Sequence, residues 1–191
     1  TGGLSFTGAY TYSRSTNWWA GGVAIPEFFW MDKFTTISPY KLTSSATYEL
    51  PFGSGKKFLN TDGLAEKLAG GWQLNGVFSA YDGRPFTIFA SDASLNMPGN
   101  AQTADQVKPT VDILGNVGDA GTYFDTSAFA RVTDVRFGNV GRNSMRGPGV
   151  VNLDMSLFRT FGLPSNMALQ LRVEALNVTN TPHFANPASN V

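Results

Sequence analysis

The sequence predicts an all-β fold, an antiparallel up-and-down meander with long loops, on three observations. Apolar and polar residues alternate with period two along much of the chain. The alternating runs reach about 10 residues, longer than the ~5–6 usual in soluble sheets. No helical period of ~3.6 residues competes with them. The best helical stretch is TDGLAEKLAGG, from Thr61, expected to make one or two turns.

Each strand follows from its own alternation. In LSFTGAYTYS, from Leu4 to Ser13, one face holds Leu4, Phe6, Gly8, Tyr10 and Tyr12. In KLTSSATYELPF, Leu42, Ala46, Tyr48 and Leu50 oppose Thr43, Ser45, Thr47 and Glu49. GWQLNGVFSAY sets Trp72, Leu74 and Phe78 against Gln73, Asn75 and Ser79. PFTIFA follows the tight YDGRP turn and reads as the return strand of a hairpin. VVNLDMSLF places Val151, Leu153, Met155 and Leu157 opposite Asn152, Asp154 and Ser156. ALQLRVEAL places Leu169, Leu171, Val173 and Ala175 opposite Gln170, Arg172 and Glu174. The expectation is about six strands in a single β domain, 1–191.

YDGRP and TFGLPSN read as short turns, whereas 14–39, 53–71 and 91–149 are long connections. The segment 14–39 then falls on the same side as the short turns, so a further strand is expected around FFWMDKFTTI. The segment 91–149 is too long to be structureless in a compact domain. Short strands or ordered turns are expected at TYFDTSAFA and VRFGNVGRN.

Composition narrows the function. Formal net charge is zero and charged residues make up 15%, which gives no basis for a nucleic-acid partner. There is no cysteine, hence no disulfide and no thiolate metal site. His183 is the only histidine, so a two-histidine mechanism is excluded. No apolar run is long enough for a transmembrane helix.

Alternation has two homes: a soluble sandwich with the apolar face inside, or a membrane barrel with that face toward lipid. Three details favour a slice of an outer-membrane-type β-barrel. The polar faces carry Ser, Thr, Asn and Gln rather than charge. The strands have the ~9–11 residues needed to cross a bilayer at a tilt. Large aromatics stand near strand ends: Tyr10, Tyr12, Tyr48, Phe52, Trp72, Phe158 and Phe161. On this reading Leu4, Phe6, Leu42, Leu50, Leu74, Phe78, Leu153, Leu157, Leu169 and Leu171 form one lipid-facing surface. Leu171→Arg, taken as near the midplane, is expected to cost roughly 2–4 kcal/mol. In YELPFGSGKKFLN, Tyr48, Leu50 and Phe52 are the last rungs of a membrane strand. Pro51 stands where a ladder donor is dispensable, Lys56 and Lys57 mark the aqueous side, and Phe58 and Leu59 fold back over the rim.

YELPFGSGKKFL followed by GGWQLNGVFSAYDGRPFTI resembles the C-terminal β-barrel region of TonB-dependent receptor-like bacterial outer-membrane proteins. The nearest type is Oar-like, carboxypeptidase-regulatory-like domain-containing. FGNVGRNSMRGPGVVNLDMSLFRTFGL and LQLRVEALNVTNTPHFANP are similar to the closing segments of the same barrels. In order and spacing the resemblance covers nearly the whole chain. It implies residence in the bacterial outer membrane, with lipid as a partner. It also implies transport of a scarce solute, driven by an energy-coupling complex that acts on the parent protein. Such receptors close with about 22 strands; plug, N-terminal domain and final strand are expected to be absent here. The Leu4 to Ser13 strand has neither charge nor proline to protect its edge, and is expected to pair with another chain or with missing parent strands. The alternative reading is a structural protein fragment assembling through its open strand edges into an extracellular fibre or sheet.

No enzyme chemistry is expected, and no catalytic residue, metal or cofactor site is assigned. His183, in NTPHFANP, reads as a loop or capping residue. Asp154, Arg172 and Glu174 share one face and could form an ion-pair network. GNVGRNSMRGPG precedes a strand rather than a helix, so it fails the context of a phosphate loop. The NVT at Asn177 is a chance sequon. Trp18, Trp19, Phe28, Phe29 and Trp30 form an aromatic run in a connection. They are a speculative ligand or subunit contact, with packing over the strand ends the favoured role.

Overall fold

A computed structural model of the chain describes residues 3–15, 39–60, 63–91, 102–118 and 121–191. Trp18, Trp19, Phe28, Phe29, Trp30 and the strand expected around FFWMDKFTTI lie outside the described residues. The fold is all-β. Five long strands form one sheet: β1 (Leu4–Tyr12), β2 (Tyr40–Glu49), β3 (Trp72–Tyr81), β8 (Val150–Leu163) and β9 (Met167–Ala175). A short helix α1 (Leu64–Ala69) and four two-residue strands complete the elements: β4 (Pro85–Phe86), β5 (Asp105–Gln106), β6 (Phe129–Ala130) and β7 (Met145–Arg146).

The sheet order is β1-β2-β3-β8-β9, a meander interrupted by one long insertion between β3 and β8. Its antiparallel sense is visible at the ends. Glu49 N donates to Gly3 O and Ser13 N to Pro39 O, while Leu50 N donates to Trp72 O and Asp82 N to Tyr40 O. The sheet is not closed: among the described residues β1 and β9 are its edges, and every residue of both strands is exposed. This is the arrangement expected of a slice of barrel wall.

The register of β8 on β9 fixes the faces. Leu157 pairs with Val173, Arg159 with Leu171 and Phe161 with Leu169; between them Ser156 pairs with Glu174, Phe158 with Arg172 and Thr160 with Gln170. Directly paired residues share a face, so the apolar set assigned to these two strands is one surface. Leu171 stands opposite Arg159, so its level already carries a guanidinium and is not the apolar midplane that the sequence suggested. The strand also runs through TFGL before turning at 164–166, where Ser165 and Asn166 adopt φ of 64° and 58°.

PFTIFA is not the return strand of a hairpin. Only Pro85–Phe86 is extended into a ladder, and it pairs with Met145–Arg146 of β7 rather than with β3. Phe86, Thr87 and Ile88 are all buried, whatever their parity, because this stretch enters a core instead of lying on a two-faced sheet. With PFTIFA removed, the connections alternate correctly. Segments 13–39 and 82–149 leave from one side of the strands, and 50–71 and 164–166 from the other.

Two compact units are distinguished. The first comprises Thr1–Tyr10, Leu42–Ala80 and Val151–Pro182. In it, YELPFGSGKKFLN forms a folded-back loop: Phe58 N donates to Pro51 O, Gly53 N to Phe58 O, and the Phe52 and Phe58 rings lie 5.9 Å apart. Lys56 is paired with Glu49 at 2.8 Å, and Lys57 lies 5.4 Å from the Phe58 ring. Trp72 Nε1 donates to Leu68 O, tying β3 to α1. Past β9, Asn177 N donates to Asp154 Oδ1 and Val178 N to Leu153 O, which fastens the chain back onto β8. The Asn177 side chain is used within this turn, bonding Thr181 through both its amide nitrogen and its oxygen.

The second unit comprises Thr11–Lys41, Tyr81–Val150 and His183–Val191, and it holds the hydrophobic core. Phe86, Ile88, Phe124, Phe129, Val140 and Met145 pack together with Ala104 and Ala128. The order expected at TYFDTSAFA and VRFGNVGRN is therefore present. The first supplies Phe124, the 3-10 turn Thr126–Ala128 and β6; the second supplies Val140.

Candidate functional site

The ordered insertion between β3 and β8 is built by close backbone approaches and side-chain ties. A Cβ on Gly138 would lie 2.1 Å from Thr103 O, so only glycine lets 136–139 pack against 102–106. Gln102 spans the same gap, donating to Arg136 O at 2.8 Å and accepting from Gly138 N at 3.1 Å. Arg136 forks onto Asp105, with bonds of 2.9 and 2.5 Å. Its guanidinium holds the Asp105 carboxyl below the usual carboxylate range. Asn139 N also donates to Asp105, and Gln106 N to Asn139 Oδ1. The glycine-rich GNVGRN thus serves close packing and turn formation.

A second tie runs from Lys108 to Asp125 and Ser127, both at 2.6 Å. Lys108 lowers the Asp125 carboxyl, whose other oxygen accepts from Ser127 N and opens the 3-10 turn. The segment 183–191 then lies along 86–90. Phe89 N donates to Ser189 O, Val191 N to Phe89 O, and Asn186 Nδ2 to Pro85 O.

These contacts leave a cavity of 460 Å³ between 116–126 and 184–190. Tyr123, Phe124, Phe184 and Pro187 give it apolar walls, and Asn116 and Asn190 give it hydrogen-bonding groups. Burial raises the Tyr123 phenol above its ordinary value. Side chains of this kind suit a neutral ligand held by ring faces and amides. A neighbouring cavity of 380 Å³ is more polar, lined by Tyr81, Asp82, Arg84, Asn186 and His183. His183 therefore has a place in a cavity wall that its turn-like sequence setting did not suggest. Asp154, Arg172 and Glu174 stand on one face; Arg172 pairs with Glu174 at 2.6 Å, while Asp154 receives the Asn177 amide. Among the described residues no group of three or more His, Asp or Glu side chains is placed to hold a metal. Neither cavity was legible in the sequence, because each is lined by loops distant in the chain.

The outer membrane beta barrel domain family matches residues 1–191. The chain belongs to that family. No curated protein and no solved structure matches it. Membership places this outer membrane beta barrel domain in the outer membrane and orients its sheet. In barrels of this kind the apolar face is the one turned to lipid and the polar face lines the interior; in β8 and β9 the face bearing Gln170, Arg172 and Glu174 is the polar one. Tyr12 and Tyr40 stand at one end of the wall with their tilted rings 5.2 Å apart, while Tyr81 ends β3 on the face of Gln73, Asn75 and Ser79. Tyr48 and Trp72 stand at the other end. Amphipathic rings at both strand ends are the aromatic girdles of a membrane wall.

Proposed function

We propose that this outer membrane beta barrel domain is the wall and ligand-facing loop region of a TonB-dependent receptor for a scarce neutral solute. An energy-coupling complex acting on the parent protein would drive uptake. The observation that carries the reading is the insertion 82–149. It departs from the same side of the strands as 13–39, contains its own hydrophobic core, and lines a cavity with rings and amides. A loop that served only to join β3 to β8 would need neither core nor cavity. The β1 and β9 edges would be paired with further strands of the same barrel, since an unpaired edge leaves backbone groups unsatisfied in lipid. The open β1 edge equally supports recruitment of a neighbouring chain, and extraction separates the two. A barrel wall requires detergent, whereas a fibre stays in the aqueous phase as large particles.

The test of transport uses intact cells expressing the parent receptor, fed a mixture of neutral solutes, with wild type and Phe184→Arg compared. Loss of one solute from the medium, abolished by a protonophore and by Phe184→Arg, supports the reading. Depletion that is indifferent to both overturns it.

A further inference from the structure

The lipid-facing surface of the β8–β9 hairpin contains one charged residue. The register places Met155, Leu157, Arg159, Phe161 and Leu163 on the face shared with Ala175, Val173, Leu171, Leu169 and Met167. A guanidinium among nine apolar side chains on such a face is costly unless it reaches a polar partner. Among the described residues the Nη1 of Arg159 finds none: it is buried and makes no hydrogen bond. Its guanidinium carbon instead lies over the Phe161 ring, 4.3 Å from the centroid, and Gly71, just before β3, lies beside it. It therefore sits level with the end of the wall that carries Trp72 and the connection 50–71.

That connection has the character of an interface segment. Leu64 and Leu68 of α1 stand one turn apart and are 79% and 70% exposed. Phe58 and Leu59 are also exposed, with Lys57 over Phe58. Apolar side chains pointing out of a loop beside lysines fit the headgroup boundary, where stems and rings are dry and charges wet. The 164–166 turn leaves from the same side, and in outer-membrane barrels the short turns face the periplasm.

We propose that Arg159, braced by Phe161 and Gly71, binds the phosphate of a glycerophospholipid in the periplasmic leaflet. Phosphate oxygens accept from the outward nitrogens of the guanidinium, not from the buried Nη1, in a charge-assisted bond, while the acyl chains lie along Leu157, Leu171 and Val173. The inference rests on the lipid-facing assignment of this surface and is independent of the transport reading.

The test is native mass spectrometry of the detergent-solubilised protein with phosphatidylglycerol, with diacylglycerol as the phosphate-free control. Wild type should retain phosphatidylglycerol, Arg159→Gln about 5-fold less, and Arg159→Lys most of it. Arg172→Gln, on the inner face, should match wild type, and diacylglycerol retention should not change with Arg159. Equal retention by wild type and Arg159→Gln overturns the proposal. So does an equal loss in Arg172→Gln, or dependence on Arg159 with lipopolysaccharide but not with phosphatidylglycerol. Should Arg159→Gln not fold, Arg159→Lys decides: retention near wild type supports the site, and a fall to the diacylglycerol level refutes it.

Discussion

Arg136 grips Asp105 with both ends of its guanidinium, across a gap of 31 residues in sequence. Because Arg136 lowers the Asp105 carboxyl, the pair contributes stability above the unfolded carboxylate value of ~3.9 and loses it as pH falls through the folded value. Asp125, lowered by Lys108, acts with the same sign. The insertion should therefore melt at an unchanged temperature from pH 7 to about 5, and at a falling one below about 4. Asp105→Asn should melt lower at pH 7 and show a shallower acid decline. Near-UV circular dichroism melts at stepped pH report this, and an identical acid decline in the variant would contradict it.

Ile88 is fully buried at the centre of the insertion core. Ile88→Ala should destabilise the insertion by about 2–5 kcal/mol. Hydrogen exchange should report it as faster exchange at 102–106 and 136–140, with β8 and β9 unaffected.

The Cβ of an alanine at position 83 would fall 1.7 Å from the carbonyl oxygen of Gly147. The neighbour is backbone, so it cannot step aside as a side chain could. Gly83→Ala should cost more than about 2 kcal/mol and loosen the β4–β7 pairing, visible as lost amide protection at Met145 and Gly147. Retained protection would show that the two loops separate easily.

Met155 and Ser156 are adjacent on β8 and face opposite sides of the wall. Met155→Arg should cost about 2–4 kcal/mol in a lipid-refolded urea titration, and Ser156→Arg far less. Leu171→Arg would add a second guanidinium directly across from Arg159, where cross-strand like charges repel. Equal tolerance at 155 and 156 would reverse the assignment of faces.

The wall was legible in the sequence because a period of two survives wherever one face is dry and the other wet. LSFTGAYTYS and ALQLRVEAL needed nothing more to be placed within a residue or two of β1 and β9. PFTIFA was misread because a segment entering a small core is buried on both sides, and a neighbouring YDG looks like a hairpin turn. There Gly83 serves its contact with Gly147. The cavities were invisible for another reason: Tyr123 and Phe184 come to line one cavity through the docking of 183–191 on 86–90, a long-range pairing that no local pattern announces. Arg159 was hidden by a strand boundary drawn at Phe158, five residues before β8 ends.

The uneven placement of dry interior has a consequence for biogenesis. β1 and β9 expose Leu4, Phe6, Leu169 and Val173 to whatever surrounds them, so in water this apolar surface stays uncovered until lipid or further strands take it. The insertion, with its own core, has no such requirement and could fold early. The order of the two events then matters: a folded insertion is a bulky cargo for the insertion machinery, whereas an unfolded one must wait until β3 and β8 have met.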